Sequence, residues 1–245
     1  MSTAPFIRCA DVHKRFGEKQ VLRGITLDVP AGETVVILGG SGSGKSVLLK
    51  HMNALLQPDA GDVLVEGASV ARLPERALSR IRRRIAMLFQ MGALFDSLTV
   101  GENVAYGLRE HHVLPDADVP ASVRECLAMV ELAGTEQLMP AELSGGMRKR
   151  VALARSLALG PAAILYDEPT TGLDPVVASK INQLIRDLQR KLRITSVAVT
   201  HDLASAFFVA DRIAFLHDGR IRFHGTPAEA RASHDPVLRE FLAAA

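Results

Sequence analysis

The sequence predicts an α/β fold: a mostly parallel core sheet with helices packed on it, an N-terminal antiparallel β region and an inserted α-helical segment. Three observations predict it. The run Thr34-Val35-Val36-Ile37-Leu38 is apolar at nearly every position, and a strand apolar on both faces belongs inside a parallel sheet. Strand-like and helix-like patterns alternate through the second half of the chain, as crossover connections between parallel strands require. Between Met91 and Leu143 strand signals vanish and only helical patterns remain.

Residues 6–12 and 21–29 are apolar-rich and read as short strands, separated by a turn at Phe16-Gly17-Glu18. Pro30-Ala31-Gly32-Glu33 turns the chain into the buried run at 34–38. A glycine-rich loop follows, then a helical pattern over 46–56 that ends before Pro58. A strand at 62–66 closes at Gly67, a charged helix covers 74–84, and a buried strand covers 85–89. Helices at 100–110 and 121–132 are joined by a polar stretch at 115–120. Alternation resumes with helix 145–159, strand 163–166, helix 176–192 and strand 196–200. Residues 213–216 and 221–224 form a hairpin about Asp218-Gly219. Thr226-Pro227-Ala228-Glu229 is a capping box with proline at the first helical position, and Asp235-Pro236 opens another short helix. One domain over 1–245 is expected, with a core of 1–90 and 144–245, a helical subdomain at 91–143 and a helical tail at 226–245.

At 48% hydrophobic residues the chain can bury a substantial core and is not a disordered type. Its 29 Lys and Arg against 27 Asp and Glu leave a net charge of +2, too even for a nucleic-acid binder recruited by bulk charge. Cys9 and Cys126 have neither metal-like nor redox-like spacing; two buried thiols in a reducing compartment are expected. Met1-Ser2-Thr3-Ala4-Pro5 leads into no apolar stretch, so no signal peptide is expected. The longest apolar stretch, 151–166, is broken by Arg155, Gly160 and Pro161, short of the ~18 residues that a membrane span needs. Any membrane connection is expected to run through a partner.

Gly39-Gly40-Ser41-Gly42-Ser43-Gly44-Lys45-Ser46 follows a predicted buried strand and precedes a predicted helix. Gly, four residues, Gly-Lys-Ser in that context is a phosphate loop, and the fold is accordingly of P-loop NTPase type. Its glycines let the backbone wrap closely enough for successive N–H groups to face phosphate oxygens. The helix starting near Lys45 adds its positive dipole end. Lys45 is placed for the β- and γ-phosphates, Ser46 for Mg²⁺, and Val47 completes the ATP-binding stretch. A flexible glycine turn would leave the flanking strand and helix unexplained.

Ala163-Ile164-Leu165-Tyr166-Asp167-Glu168 is a buried strand ending in two carboxylates. The pleat turns neighbouring side chains to different sides, so Asp167 can hold the Mg²⁺ shell while Glu168 accepts a proton from, or orients, an attacking water. Acids often end strands, so the pair gains its weight from the phosphate loop. His201 directly follows the strand at 196–200. A structural histidine is the plainer reading, but strand ends of open parallel sheets are where ligands bind. Phe16 alone reads as core packing.

Leu143-Ser144-Gly145-Gly146-Met147 alone is a helix start, with Ser144 as N-cap. With the phosphate loop and the acidic strand it resembles the signature motif of ABC-transporter ATPases, and every expected element follows in order over essentially the whole chain. That resemblance implies the remaining roles. Phe16 stacks on adenine. Gln90 contacts Mg²⁺ and the attacking water and senses the transmembrane partner. Asp174, in Gly172-Leu173-Asp174, lies in a loop that crosses a dimer interface, and His201 stands at the γ-phosphate. Ser144, Gly145, Gly146 and Met147 contact ATP held by the other subunit. The catalytic set is then Glu168, His201, Gln90 and Lys45. With one phosphate loop and one signature per chain, two complete sites need a homodimer. Segment 91–143 matches the family's helical subdomain, which docks on integral membrane permease subunits at the cytoplasmic face of the inner membrane.

Residues 87–100 and 103–111, from Met87-Leu88-Phe89-Gln90 to Glu110-His111, are similar to the ATPases of the Mla/MCE phospholipid-trafficking systems. Amino-acid importers and lipoprotein releasers usually differ here. The similarity implies phospholipid transport between membranes, with an MCE-type lipid-binding protein and a small regulatory subunit as further partners. The alternatives are an importer of small polar solutes, a soluble ABC ATPase of translation or DNA repair, and a nucleotide-binding regulator that does not hydrolyse, against which Glu168 and His201 argue. The soluble ATPases usually carry a second cassette, a coiled-coil insertion or a zinc module, which this sequence lacks. Three alanines follow Leu242, so the tail embrace some Mla ATPases make with a neighbour is not expected. Arg80-Ile81-Arg82-Arg83-Arg84 reads as a solvated helix face rather than a lipid-headgroup contact. His111-His112 diverge on a helix and have no third ligand for a metal. Val237, Leu238, Phe241 and Leu242 form a face that packs the tail onto the body.

Overall fold

The computed structural model describes residues 4–70 and 73–244. Strands β1 (Ile7–Phe16) and β2 (Lys19–Val29) form the first hairpin, and β3 (Thr34–Leu38) leads into α1 (Lys45–Met52). Next come β4 (Ala60–Val65), β5 (Ala68–Ser69), α2 (Glu75–Arg84) and β6 (Ile85–Leu88). The strand-free stretch holds α3 (Val100–Glu110), α4 (Val119–Met129) and a short 3-10 turn at Pro140–Glu142. It is followed by α5 (Gly145–Leu157), β7 (Ala163–Asp167), α6 (Pro175–Leu192), β8 (Thr195–Thr200) and α7 (Leu203–Val209). The chain closes with β9 (Arg212–His217), β10 (Arg220–Gly225), α8 (Pro227–Arg231) and α9 (Pro236–Ala243).

The main sheet has the order β10-β9-β3-β8-β7-β6. From β9 to β6 all neighbours run parallel, and β10 alone is antiparallel. A second sheet, β2-β1-β4-β5, is wholly antiparallel. The expected fold class is therefore the one observed. The pleat of β3 divides the core between two layers. Val35 and Ile37 join the antiparallel sheet and the Leu48, Leu49 and Met52 face of α1. Val36 and Leu38 join the other cluster, which runs without interruption into Val104 of α3, Leu127 of α4 and Ile185 of α6. Leu238 is fully buried on this second face, where the Phe241 ring centre lies 5.1 Å from that of Phe215. That is the tail packing expected of the 237–242 pattern.

Several boundaries differ from expectation. The α1 helix stops at Met52 instead of reaching 56 because the chain turns back: the N–H groups of Leu55 and Leu56 both return to the carbonyl of Lys50, through Ala54 at φ 57°. Helix α4 starts two residues early and ends at Met129, with Glu131 left-handed at φ 58°. The β1–β2 hairpin extends to the pair Phe16↔Lys19; its polar outer end is held by backbone pairing, which apolar patterning does not report. Helix α7 was not expected at all. In the basic run, Arg82 pairs with Glu75 and donates to the carbonyl of Ala54, and Arg84 pairs with Glu66. His111 and His112 are exposed at the end of α3.

Candidate nucleotide site

Loop 39–44 leaves the end of β3 and enters α1. At the N-cap, Gly44 takes φ 105°, and a Cβ there would press on Val21 and Leu22. Among the described residues no side chain caps α1, and no acid lies in its first turn, so its N–H groups and positive dipole end are open to an anion. The Lys45 ammonium donates to the carbonyls of Gly39 at 2.9 Å and Gly40 at 3.0 Å. Burial pulls its pKa down, and Glu168 and Asp167 pull against that. The Glu168 carboxylate is 3.9 Å from it.

Strand β7 is buried along its length and ends at Asp167. The Asp167 carboxylate accepts from the Ser46 hydroxyl at 2.7 Å. Glu168, one residue beyond, has φ 50°, a conformation few side-chain-bearing residues adopt. This backbone turn, rather than the pleat, separates the two acids. Glu168 Oε1 accepts from His201 Nδ1 at 3.0 Å and Oε2 accepts from Thr171 Oγ1 at 3.0 Å. The carboxylate is thus oriented on both sides, facing Lys45.

Phe16, Ser41, Gly42, Gly44, Lys45, Ser46, Val47, Gln90, Glu168 and His201 line one cavity of about 610 Å³. Asp167 reaches it through Ser46, Gly39 and Gly40 through their carbonyls to Lys45, and Ser43 through its N–H to Gly40. Ser46, Asp167 and the Gln90 amide offer hard oxygen donors. Mg²⁺ takes one or two such ligands from protein and the rest from phosphates and water, so the residues present fit it.

The structure leaves two predicted groups out of this cavity. Ser144 caps α5, its Oγ accepting from the Met147 N–H at 3.2 Å, and Ser144 and Gly145 are exposed while Gly146 is buried. Asp174 caps α6, accepting from Val176 and Val177 at 3.1 and 3.0 Å, and is exposed. Three contributors were not foreseen. Val21 lines the cavity, Thr171 orients Glu168, and Lys149 donates to the backbone carbonyl of Gln90. Lys149 carried a readable signal: it lies at i+3 from Gly146 and i−4 from Leu153, on the buried stripe of α5.

A family profile described as ABC transporter matches residues 22–171. The chain belongs to the ABC transporter family. The cassette is 40% identical over 241 residues to the "Intermembrane phospholipid transport system ATP-binding protein MlaF" of Escherichia coli K12, covering 98% of this chain and 90% of that one. It is 42% identical over 229 residues to the "Probable ribonucleotide transport ATP-binding protein mkl" of Mycobacterium leprae, covering 94% of this chain but only 66% of that longer relative. Among solved structures, the dimeric post-hydrolysis state of the ATP-binding cassette MJ0796, bound to ADP and Pi, superposes with a TM-score of 0.82 at 36% identity, covering 90% of this chain and 98% of that one. The cassette is an ATP-binding ATPase of this family. Among the described residues no helix is long and apolar enough to cross a membrane.

Proposed function

We propose that two copies of the cassette close around two Mg-ATP and drive an integral membrane permease that moves phospholipid between membranes. One observation carries this reading. A single chain gathers the phosphate loop, the acidic strand end, Gln90 and His201 into one cavity, yet leaves Ser144 and Asp174 on exposed helix starts. The exposed start of α5, with a neutral Ser144 at its cap and no acid in its first turn, suits an anion held by a second molecule.

In this reading Phe16 stacks on adenine and the N–H groups of 39–47 hold the phosphates. Lys45 exchanges the carbonyls of Gly39 and Gly40 for the β- and γ-phosphate oxygens. Ser46, Asp167 and Gln90 hold Mg²⁺, which supplies positive charge against the phosphates. Glu168, kept in place by His201 and Thr171, accepts the proton of a water aimed in line at the γ-phosphate, and His201 steadies that phosphate. Ser144, Gly145, Gly146 and Met147 of the opposite copy close the site, and Asp174 lies at the seam. Positioning and electrostatics account for most of the rate. Once the γ-phosphate is lost the two copies have less to share, and they part.

The phospholipid assignment is supported by the near end-to-end match to MlaF and by the residues of 87–111. The match to mkl spans a smaller part of a longer protein. Segment 91–143 docks on the permease at the cytoplasmic face of the inner membrane, with an MCE-type lipid-binding protein and a small regulatory subunit in the same assembly. The test pairs Glu168→Gln with co-purification. The variant is expected to bind ATP normally and to turn over about 100-fold more slowly or worse, and the tagged wild type to bring down a permease with phospholipid. Normal turnover by the variant removes Glu168 from its role; a permease carrying a polar solute removes the cargo assignment.

A further inference from the structure

Helix α5 starts at the capping Ser144, and two of its basic side chains reach the loop after β6. Lys149 is buried to 8% exposure. Its ammonium donates to the carbonyl of Gln90 and lies 3.5 Å from the carbonyl of Glu168. Arg155 donates to the carbonyls of Ala93 at 2.7 Å and Gly92 at 2.9 Å, with its guanidinium 5.9 Å from the centre of the Phe95 ring. The loop they hold is unusual. Gly92 and Ala93 are both left-handed, at φ 77° and 49°, and alanine does not choose that conformation unaided. A buried ammonium is also costly compared with an apolar side chain of similar length. Here both basic groups are committed to main-chain carbonyls of one short loop, and the same helix carries the signature at its start.

We propose that Lys149 and Arg155 are positioning residues that fasten the Gln90 loop to the signature helix, so that Gln90 and the backbone at Glu168 shift with α5 when the opposite copy's nucleotide engages Ser144. The inference rests on the roles given above to Gln90, Glu168 and Ser144. Its consequence is that each chain readies its own site according to whether its signature has found a partner's ATP. The coupling is mechanical, through two side chains and the carbonyls they hold.

Hydrogen exchange and steady-state hydrolysis of the full chain test it together. In K149M and in R155M, amides of 90–95 are expected to exchange about tenfold faster with nucleotide bound, while the phosphate loop is unchanged. In K149M kcat is expected to fall about tenfold with KM for ATP within about twofold, and K149R to recover most of it. In a Q90A background K149M is expected to cost less than its tenfold in the wild type, because the share that passes through Gln90 is already lost and only the share through the Glu168 carbonyl remains. Unchanged exchange over 90–95, a wild-type kcat in K149M, or losses that multiply with Q90A each overturn the proposal. Should K149M fail to fold, K149Q is read in the same way. If Q90A alone hydrolyses ATP normally, the role of Gln90 is wrong, and the fastening is then judged by exchange alone.

Discussion

Gly39, Gly40 and Gly42 lie in one loop but meet different surroundings, so their alanine variants should separate. A Cβ on Gly39 would stand 2.3 Å from the carbonyl oxygen of Leu216 and 2.9 Å from the Ser43 hydroxyl. The first neighbour is backbone of β9 and cannot swing aside, so overpacking of about 1–3 kcal/mol is expected. Gly42 has open space but φ +74°, which costs a side-chain-bearing residue roughly 1–2 kcal/mol. Gly40 has neither problem: no atom of the described residues lies within 4 Å and its backbone is not left-handed. Its alanine variant should stay within about 0.5 kcal/mol of wild type. At roughly 2–4 °C per kcal/mol for a chain of this size, thermal midpoints should drop by about 2–12 °C for G39A, about 2–8 °C for G42A and less than about 2 °C for G40A. Circular dichroism melts without nucleotide read this directly, since no phosphate contact then contributes. If G40A melts as low as G39A, the loop needs glycine for its own backbone freedom, and the packing argument against β9 is wrong.

Other positions give sharper functional readouts. Phe16 is 49% exposed with Lys14 Nζ 5.7 Å from its ring centre; F16A should weaken ATP binding about tenfold through lost stacking while leaving the melting temperature within about 2 °C, as nucleotide titration and melting will show. D174A removes the acceptor for two N–H groups of α6 and should cost about 1 kcal/mol, seen as a shift of roughly 2–4 °C. Burial pushes the Cys9 thiol up to about 12 and raises that of Cys126 as well. Neither should react with a disulfide reagent near pH 8 until denaturant opens the fold, and rapid labelling of the native chain would contradict that burial.

Much of the site could be read in the sequence because its chemistry sits at strand ends. A glycine-rich loop after a wholly apolar strand, and two acids after another, place Lys45, Ser46, Asp167 and Glu168 together once the strands are parallel. Helix α7 escaped because its seven residues, Leu203–Val209, are too few to show a period. Its N-cap Asp202, accepting from Ala204 and Ser205 just after β8, was the available sign. The end of α1 was misjudged because Pro58 stops a helix only if nothing stops it sooner, and the turn at Asn53 and Ala54 does. The left-handed turn at Glu168 and the reach of Lys149 and Arg155 to carbonyls about sixty positions away are tertiary facts. No local pattern encodes which carbonyl a basic side chain will meet.

Sedimentation of Glu168→Gln with and without Mg-ATP bears most directly on the shared site. With hydrolysis slowed, the chain should sediment as a single species near 26.4 kDa without nucleotide and at twice that mass with it, carrying two ATP, and a bulky replacement of Ser144 should prevent the change. A chain that binds ATP one-to-one yet stays at monomer mass at saturating nucleotide would contradict a pocket finished by a second copy.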